Sequence, residues 1–270
     1  MKNHTTRLVI LVLFATTIFL FNCDGDNPLN SRYDVHNTNY IAVEEFLFEV
    51  DVANQSLFRL TAVNGSISIT GESNSDSIII TGERRVGSES TEDAEEHLEL
   101  LEVRVQELTD EIYIRTIQPN ETYGRNYEVD YEITLPDGFM IIASHVNGSV
   151  TVGSINNTVT VSNVNGQIDL NDISGSAIAS LVNGQIEGDV VLPSNGLIAM
   201  STVNGNVVLN IPVNTSAEFE ASRVNGSINI RYLDLQNEVI TSTSRRGILG
   251  NGDGEISLST VNGNIWAIGF

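Results

Sequence analysis

Val164-Asn165-Gly166-Gln167-Ile168, followed eighteen residues later by Val182-Asn183-Gly184-Gln185-Ile186, is the stretch on which this chain turns. The same Val-Asn-Gly occurs at Val63-Asn64-Gly65, Val146-Asn147-Gly148, Val203-Asn204-Gly205, Val224-Asn225-Gly226 and Val261-Asn262-Gly263. Successive copies start 83, 18, 18, 21, 21 and 37 residues apart. Near-equal steps of this kind define a repeat protein, and the repeat has to be recognised before the rest of the fold is reasoned about.

Short alternating segments flank each copy. Thr158-Val159-Thr160-Val161-Ser162 and Ala177-Ile178-Ala179-Ser180-Leu181 precede it, and Gln167-Ile168-Asp169-Leu170 and Asn206-Val207-Val208-Leu209 follow it. Such period-two runs are strands. Asn-Gly between strands is also a hairpin signal, because both residues tolerate positive φ. A meander of hairpins would pair Val161 with Leu170. A hairpin array, however, needs Asn-Gly only at its turns and has no reason to repeat the frame around it. The expected architecture is therefore all-β: a β-solenoid, single-stranded and β-helix-like, of 18–21-residue Val-Asn-Gly coils stacked at ~4.8 Å. A twisted antiparallel β-sandwich is the alternative. In the solenoid, Gly takes the strained corner, Asn forms a side-chain ladder and Val enters the core. The ladder would comprise Asn64, Gly65, Asn147, Gly148, Asn165, Gly166, Asn183, Gly184, Asn204, Gly205, Asn225, Gly226, Asn262 and Gly263. The 37-residue interval is expected to hold one further unit that has lost its Val-Asn-Gly, and Trp266 to cover the last coil.

The chain begins differently. Lys2 and Arg7 precede a nearly unbroken apolar run from Leu8 to Phe21, which ends at Asn22-Cys23. This is the pattern of a secretory signal, and the run falls short of the ~20 residues that cross a bilayer as a helix. Leu20-Phe21-Asn22-Cys23, with the chain's one cysteine, resembles a bacterial lipobox, although Asn22 stands where a smaller residue is usual. The resemblance implies lipidation at Cys23. The expected organisation is a signal peptide over 1–22, a lipidated N-terminus and linker over 23–42, and a β-repeat domain over 43–270 with an insert at about 86–136. The expected location is extracytoplasmic, at the outer membrane or cell surface rather than the inner membrane. The formal net charge of −22 becomes −24 once Lys2 and Arg7 leave. Such a charge opposes nucleic acid and anionic headgroups as partners. One cysteine leaves no intrachain disulfide framework.

The 83-residue interval reads differently again. Ser90 or Thr91 caps an acidic helical stretch with Ala94, Leu98 and Leu101 on one face. A hairpin around Thr109-Asp110 and a strand from Tyr127 to Leu135 follow it. Catalytic and metal constellations are weak. His36, His97 and His145 sit in unrelated contexts, and no Gly-x-Ser-x-Gly occurs. Asp169, Asp172, Glu187 and Asp189 follow successive corners and could line one face, where oxygen ligands would suit Ca²⁺; a solvated acidic face is the simpler reading. Gly250 to Glu255 reads as a loop, and Arg84-Arg85 and Arg245-Arg246 as partners of nearby acids. No catalytic, cofactor or metal residue is assigned.

The order of parts is similar to the DUF4097 putative-adhesin family, related to head-GIN auto-transporter adhesin domains. The resemblance rests on the Tyr127-to-Pro136 strand, the stacked units and Gly252-Asp253-Gly254-Glu255-Ile256-Ser257-Leu258-Ser259-Thr260. It covers about residues 45–270, and many relatives favour Ser-Gly-Asp at the corner. It implies a surface protein without catalytic residues or cofactors, held to the membrane by its lipid and presenting a repetitive β face to a surface protein or glycan. The alternatives are an envelope-stress sensing or binding module and a carbohydrate-active β-helix enzyme. The enzyme would need clustered carboxylates with Arg or Lys on one face, and Lys2 is the only lysine.

Overall fold

The computed structural model describes residues 36–270. The expected signal sequence and Cys23 lie outside the described residues. Alternating apolar and polar residues make strand the dominant element of the remainder. The first part holds β1 (Tyr40–Asp51), β2 (Leu57–Thr61), β3 (Ile67–Glu72), β4 (Ser77–Ser88), helix α1 (Thr91–Leu98), β5 (Glu102–Glu107), β6 (Glu111–Ile117) and β7 (Asn126–Pro136). The middle holds β8 (Met140–Ser144), β9 (Val150–Ile155), β10 (Val159–Asn165), β11 (Ile168–Ile173), β12 (Ala177–Asn183), β13 (Ile186–Val190), β14 (Leu197–Asn204) and β15 (Val207–Ile211). The last part holds β16 (Ala217–Asn225), β17 (Ile228–Arg231), β18 (Gln236–Ile240), β19 (Ser244–Leu249), β20 (Gly254–Asn262) and β21 (Ile265–Gly269).

These strands form two large, open, mixed sheets. The first runs β1-β4-β7-β3-β9-β11-β13-β15-β21-β17, and the second β18-β19-β16-β20-β14-β12-β10-β8-β2-β6-β5. Each Val-Asn-Gly corner carries the chain from the second sheet to the first, so every unit gives one strand to each. Within a sheet the units pair in parallel. Val161 lies between Ala143 and Ala179, and Ile168 between Val150 and Ile186. The hairpin pairing of Val161 with Leu170 is not formed. Antiparallel pairing occurs toward the ends of the sheets, in β1–β4–β7, β5–β6 and β16–β19–β18.

Spatial order departs from chain order at both ends. The unit β2–β3 sits between β6–β7 and β8–β9. The C-terminal unit β20–β21 sits between β14–β15 and β16–β17. The 37-residue interval is therefore not a further unit. It holds the antiparallel hairpin β18–β19, which extends the second sheet beyond β16. Trp266 does not cap the stack either, because β21 has neighbours on both sides and Trp266 lies in register with Val208 and Asn229.

One aliphatic core joins the two sheets. Columns such as Ile141, Val159, Ala177, Ile198 and Ile256 run through the second sheet and Val150, Ile168, Ile186, Val207 and Ile265 through the first, all fully buried. Gly188 breaks its column, and the Met200 side chain fills the space from the opposite sheet, with Cε 2.4 Å from where a Cβ would stand. Helix α1 packs on β1 and β4. The Ser90 hydroxyl caps it by accepting from the Asp93 amide at 3.1 Å. Asp93 is itself buried and receives a bidentate pair from Arg125, at 2.6 and 2.7 Å, and the Ser88 hydroxyl. The Arg125 guanidinium holds the Asp93 carboxyl down at about 2. This clamp stabilises the fold above the unfolded carboxyl value and fails as pH falls through about 2. The paired arginines do balance local acids: Arg84 meets Glu44, Arg85 meets Glu128, and Arg245 and Arg246 meet Glu238 and Glu220.

The corners fix the spacing of the whole stack. All seven corner glycines have positive φ, from 115° to 158°. A Cβ on Gly184 would lie 1.7 Å from the carbonyl oxygen of Gly166, and the same clash recurs along the column. Gly184→Ala is expected to lose roughly 3 kcal/mol or more, from a strained backbone plus a backbone clash. Gly138→Ala, where a Cβ meets nothing within 4 Å, is expected to be near neutral. Urea unfolding of the two variants checks the contrast.

Candidate functional site: the Ser-Val-Asn corner face

The seven corner asparagines form one continuous hydrogen-bonded ladder. In spatial order it runs 64, 147, 165, 183, 204, 262, 225. Each side-chain amide donates to the Oδ1 of its predecessor at 2.8–2.9 Å. Asn64 ends it by donating to the Tyr127 carbonyl at 2.8 Å. The backbones are laddered too, with Gly148 N–H donating to Asn165 O and Gly205 N–H to Asn262 O, both at 2.9 Å. The sequence-derived ladder residues thus all come together, in an order the sequence does not contain.

The valine of the motif behaves otherwise than expected. It does not enter the core. Val203, Val224 and Val261 are 41%, 59% and 40% exposed, and Val63, Val146, Val164 and Val182 are half-buried. The inward position is the residue before it. There Ala62, His145, Asn163, Leu181, Thr202 and Thr260 are buried. Four of these perform a shared task. At four corners the glycine carbonyl is reached from inside the stack by the polar side chain of the next unit, whereas the unit after Gly166 offers only Leu181. His145 Nε2 bonds Gly65 O at 2.9 Å, Asn163 Nδ2 bonds Gly148 O at 2.8 Å, Thr202 Oγ1 bonds Gly184 O at 3.5 Å and Thr260 Oγ1 bonds Gly205 O at 2.9 Å. A polar residue at an inward strand position, recurring just before Val, is the signal that reveals this device.

A second row also escapes a reading centred on Val-Asn-Gly. Three residues before every Asn stands a hydroxyl: Thr61, Ser144, Ser162, Ser180, Ser201, Ser259 or Ser222. All are half-buried, and they align across the second sheet in register. Hydroxyl, valine and amide stripes therefore run side by side along the corner. The position after each Gly is Ser, Gln or Asn, so none of these outward positions carries a charge. No Lys or Arg occurs between Arg125 and Arg223.

The acidic candidates are arranged less coherently. Asp169 and Glu187 are register neighbours on adjacent strands. Gln167 donates to Asp169 at 2.7 Å, and Asn210 to Asp189 at 2.6 Å. Among the described residues no three His, Cys, Asp or Glu side chains could share a metal ion. His97 is buried in α1 and His145 in the corner that follows β8. A groove of about 720 Å³ on the first sheet is lined by Leu47, Glu45, Glu83, Asp130 and Glu132. Burial pushes the Asp130 carboxyl up, but hydrogen bonds from Ser66 and the Arg85 guanidinium outweigh this and bring it below its usual value. No described helix is long and apolar enough to cross a membrane.

No family model matches the chain, and no curated protein matches it. Among solved structures it is similar to a putative cell adhesion protein from Clostridium sporogenes, at 12% identity and TM-score 0.45, over 85% of this chain and 100% of that one. It is also similar to a putative adhesin from Bacteroides fragilis, at 12% identity and TM-score 0.34, over 83% and 97%. A third is a putative adhesin from Parabacteroides merdae, at 9% identity and TM-score 0.25, over 85% and 96%. At such low identity and TM-score, function has to be argued from this chain's own surface.

Burial holds the His145 imidazole below its ordinary value, against the bonds to Gly65 and its other backbone partners. The unfolded chain therefore takes up a proton first as pH falls, and stability drops as pH falls below ~6.5. His145→Asn, which copies Asn163 at the equivalent position, is expected to flatten that part of the curve. Melting temperatures of both proteins between neutral pH and pH ~5 check it. Thr260→Val strips the Gly205 carbonyl of its donor and is expected to cost ~1–3 kcal/mol at any pH.

Proposed function

We propose that this protein is a non-enzymatic binding protein of the cell envelope, a member of the DUF4097 putative-adhesin family whose repeat winds as a β-solenoid. It presents its corner face to a partner, a surface protein or a glycan. One observation carries the reading: on a chain with net charge −22, a seven-unit face of hydroxyl, valine and amide stripes is uncharged and repeats at the strand spacing. Parallel pairing of units at 18- and 21-residue steps supports the solenoid. The N-terminal pattern supports export and lipidation at Cys23.

The face is tested with Ser162→Arg, Ser180→Arg and Ser201→Arg combined. All three side chains are half-exposed on the outer surface, so the variant is expected to fold with an unchanged far-UV spectrum. Cells carrying it are expected to lose attachment, as a deletion strain does, whereas Asp169→Asn with Glu187→Gln on the other sheet keeps it. Equal attachment by the arginine variant and the wild type would remove the face from the function.

The anchor has its own test. Labelled palmitate is expected to enter the wild type and not Cys23→Ala, and protease added to whole cells is expected to cleave the protein. Label in both proteins, or in neither, overturns lipidation at Cys23; full protease resistance overturns surface exposure.

A further inference from the structure

Asn-Gly is also a reactive dipeptide. The glycine nitrogen attacks the asparagine Cγ, the Cγ–Nδ2 bond breaks and ammonia leaves, giving a five-membered succinimide. Water then opens the ring to aspartate or isoaspartate. No oxidant or cofactor is consumed. The reaction needs the glycine N–H free to lose its proton and the Cγ free to approach it.

The chain contains nine Asn-Gly pairs: the seven corners, Asn195-Gly196 and Asn251-Gly252. In eight of them the glycine N–H is committed to a backbone carbonyl. Gly65, Gly148, Gly166, Gly184, Gly205 and Gly263 donate to the corner asparagine of the next unit at 2.9–3.1 Å. Gly196 donates to Pro193 O at 2.9 Å and Gly252 to Leu249 O at 3.1 Å. The ninth is Gly226. Its unit, β16–β17, is the last of the stack, so no further corner supplies a carbonyl, and among the described residues the Gly226 N–H has no acceptor. Asn225 and Gly226 are both exposed. The Asn225 Oδ1 is likewise the ladder oxygen beyond which no further corner amide stands.

We propose that Asn225-Gly226 is a site of spontaneous deamidation, and that backbone hydrogen bonds protect the other eight pairs, through stacking at six corners and through local turns at Gly196 and Gly252. The product replaces an amide that donates to Asn262 Oδ1 at 2.8 Å with a carboxylate that cannot. It removes the end rung and places a negative charge on the edge of an otherwise uncharged face. Isoaspartate also lengthens the backbone by one carbon and shifts β17 against β21.

The folded protein is aged at mildly alkaline pH and body temperature, and all nine sites are followed by tryptic and chymotryptic mass mapping. Arg223 and Arg231 bound a tryptic peptide, 224–231, that isolates the site. Aspartate and isoaspartate are expected in that peptide at least about tenfold faster than at any other pair, because the others must first open the backbone bond, ladder or turn, that holds the glycine N–H. In urea the nine rates are expected to converge. Equal rates at all corners of the folded protein, or a faster rate at a stacked corner, overturn the proposal. Asn225→Gln serves as the second variant: ammonia release from the folded protein is expected to fall to a small remainder, and unchanged release overturns the assignment.

Discussion

The close approach of successive corner glycines is the constraint on which the rest depends. Each carbonyl lies where the Cβ of the next unit's corner would be, 1.6–2.0 Å away between stacked corners. Only glycine permits that contact, and only at positive φ does the chain turn sharply enough to pass between sheets. Once the corners stack at this distance, several consequences follow. The asparagine amides come within hydrogen-bonding range of one another. Four of the glycine carbonyls take donors from within, supplied by His145, Asn163, Thr202 and Thr260. The strands on either side fall into register, and register aligns the aliphatic columns. Propensity and burial stabilise the columns, but the corner sets their phase.

A stack of equivalent units has two ends, and unpaired end strands invite fraying and pairing with other chains. Both ends of this chain use the same solution. The units nearest the termini, β2–β3 and β20–β21, are enclosed by neighbours rather than left outermost. Antiparallel strands are then laid beyond them, β1 and β4 with β5 at one end and, on the second sheet only, β19 with β18 at the other, where β17 stays the outermost strand of the first sheet. The Ser88–Asp93–Arg125 cluster locks helix α1 against the first of these ends. A unit held on both sides cannot peel away without opening two ladders, so enclosure makes the units nearest the chain termini interior ones and leaves β16–β17 as the end of the corner stack.

Much of this was legible in the sequence. The corner spacing gave the strands, their parallel phase and the ladder, and Ser90 with its acidic first turn gave α1. Three things were not legible, for physical reasons. Identical corners are interchangeable partners, so nothing in Val-Asn-Gly tells that Asn262 belongs between Asn204 and Asn225; that order is decided by loop lengths and end packing. Hydrophobicity alone points valine to the core, although strict alternation from Val161 and Asn163 already places Val164 on the outside. The hydroxyl row was overlooked because serine is common in exposed strand positions, and only register shows that seven hydroxyls share one line.

The neutrality of the corner face follows from the same stacking. Like charges one strand spacing apart repel by ~1 kcal/mol per pair even in water, and more at a partly buried surface. A charged residue repeated in every unit would therefore oppose the ladder that the corner builds. The acidity of the chain is accordingly concentrated in the helix and end strands, and on the central units it is confined to Asp169, Asp172, Glu187 and Asp189. A partner meeting the corner face encounters hydroxyls, methyls and amides in fixed lines. Its binding would draw on shape and hydrogen bonds repeated along the stack, with many weak contacts adding through their common spacing. Such binding gains little from long-range steering. On the proposed reading it would tolerate high salt, and its strength would grow with the number of units engaged.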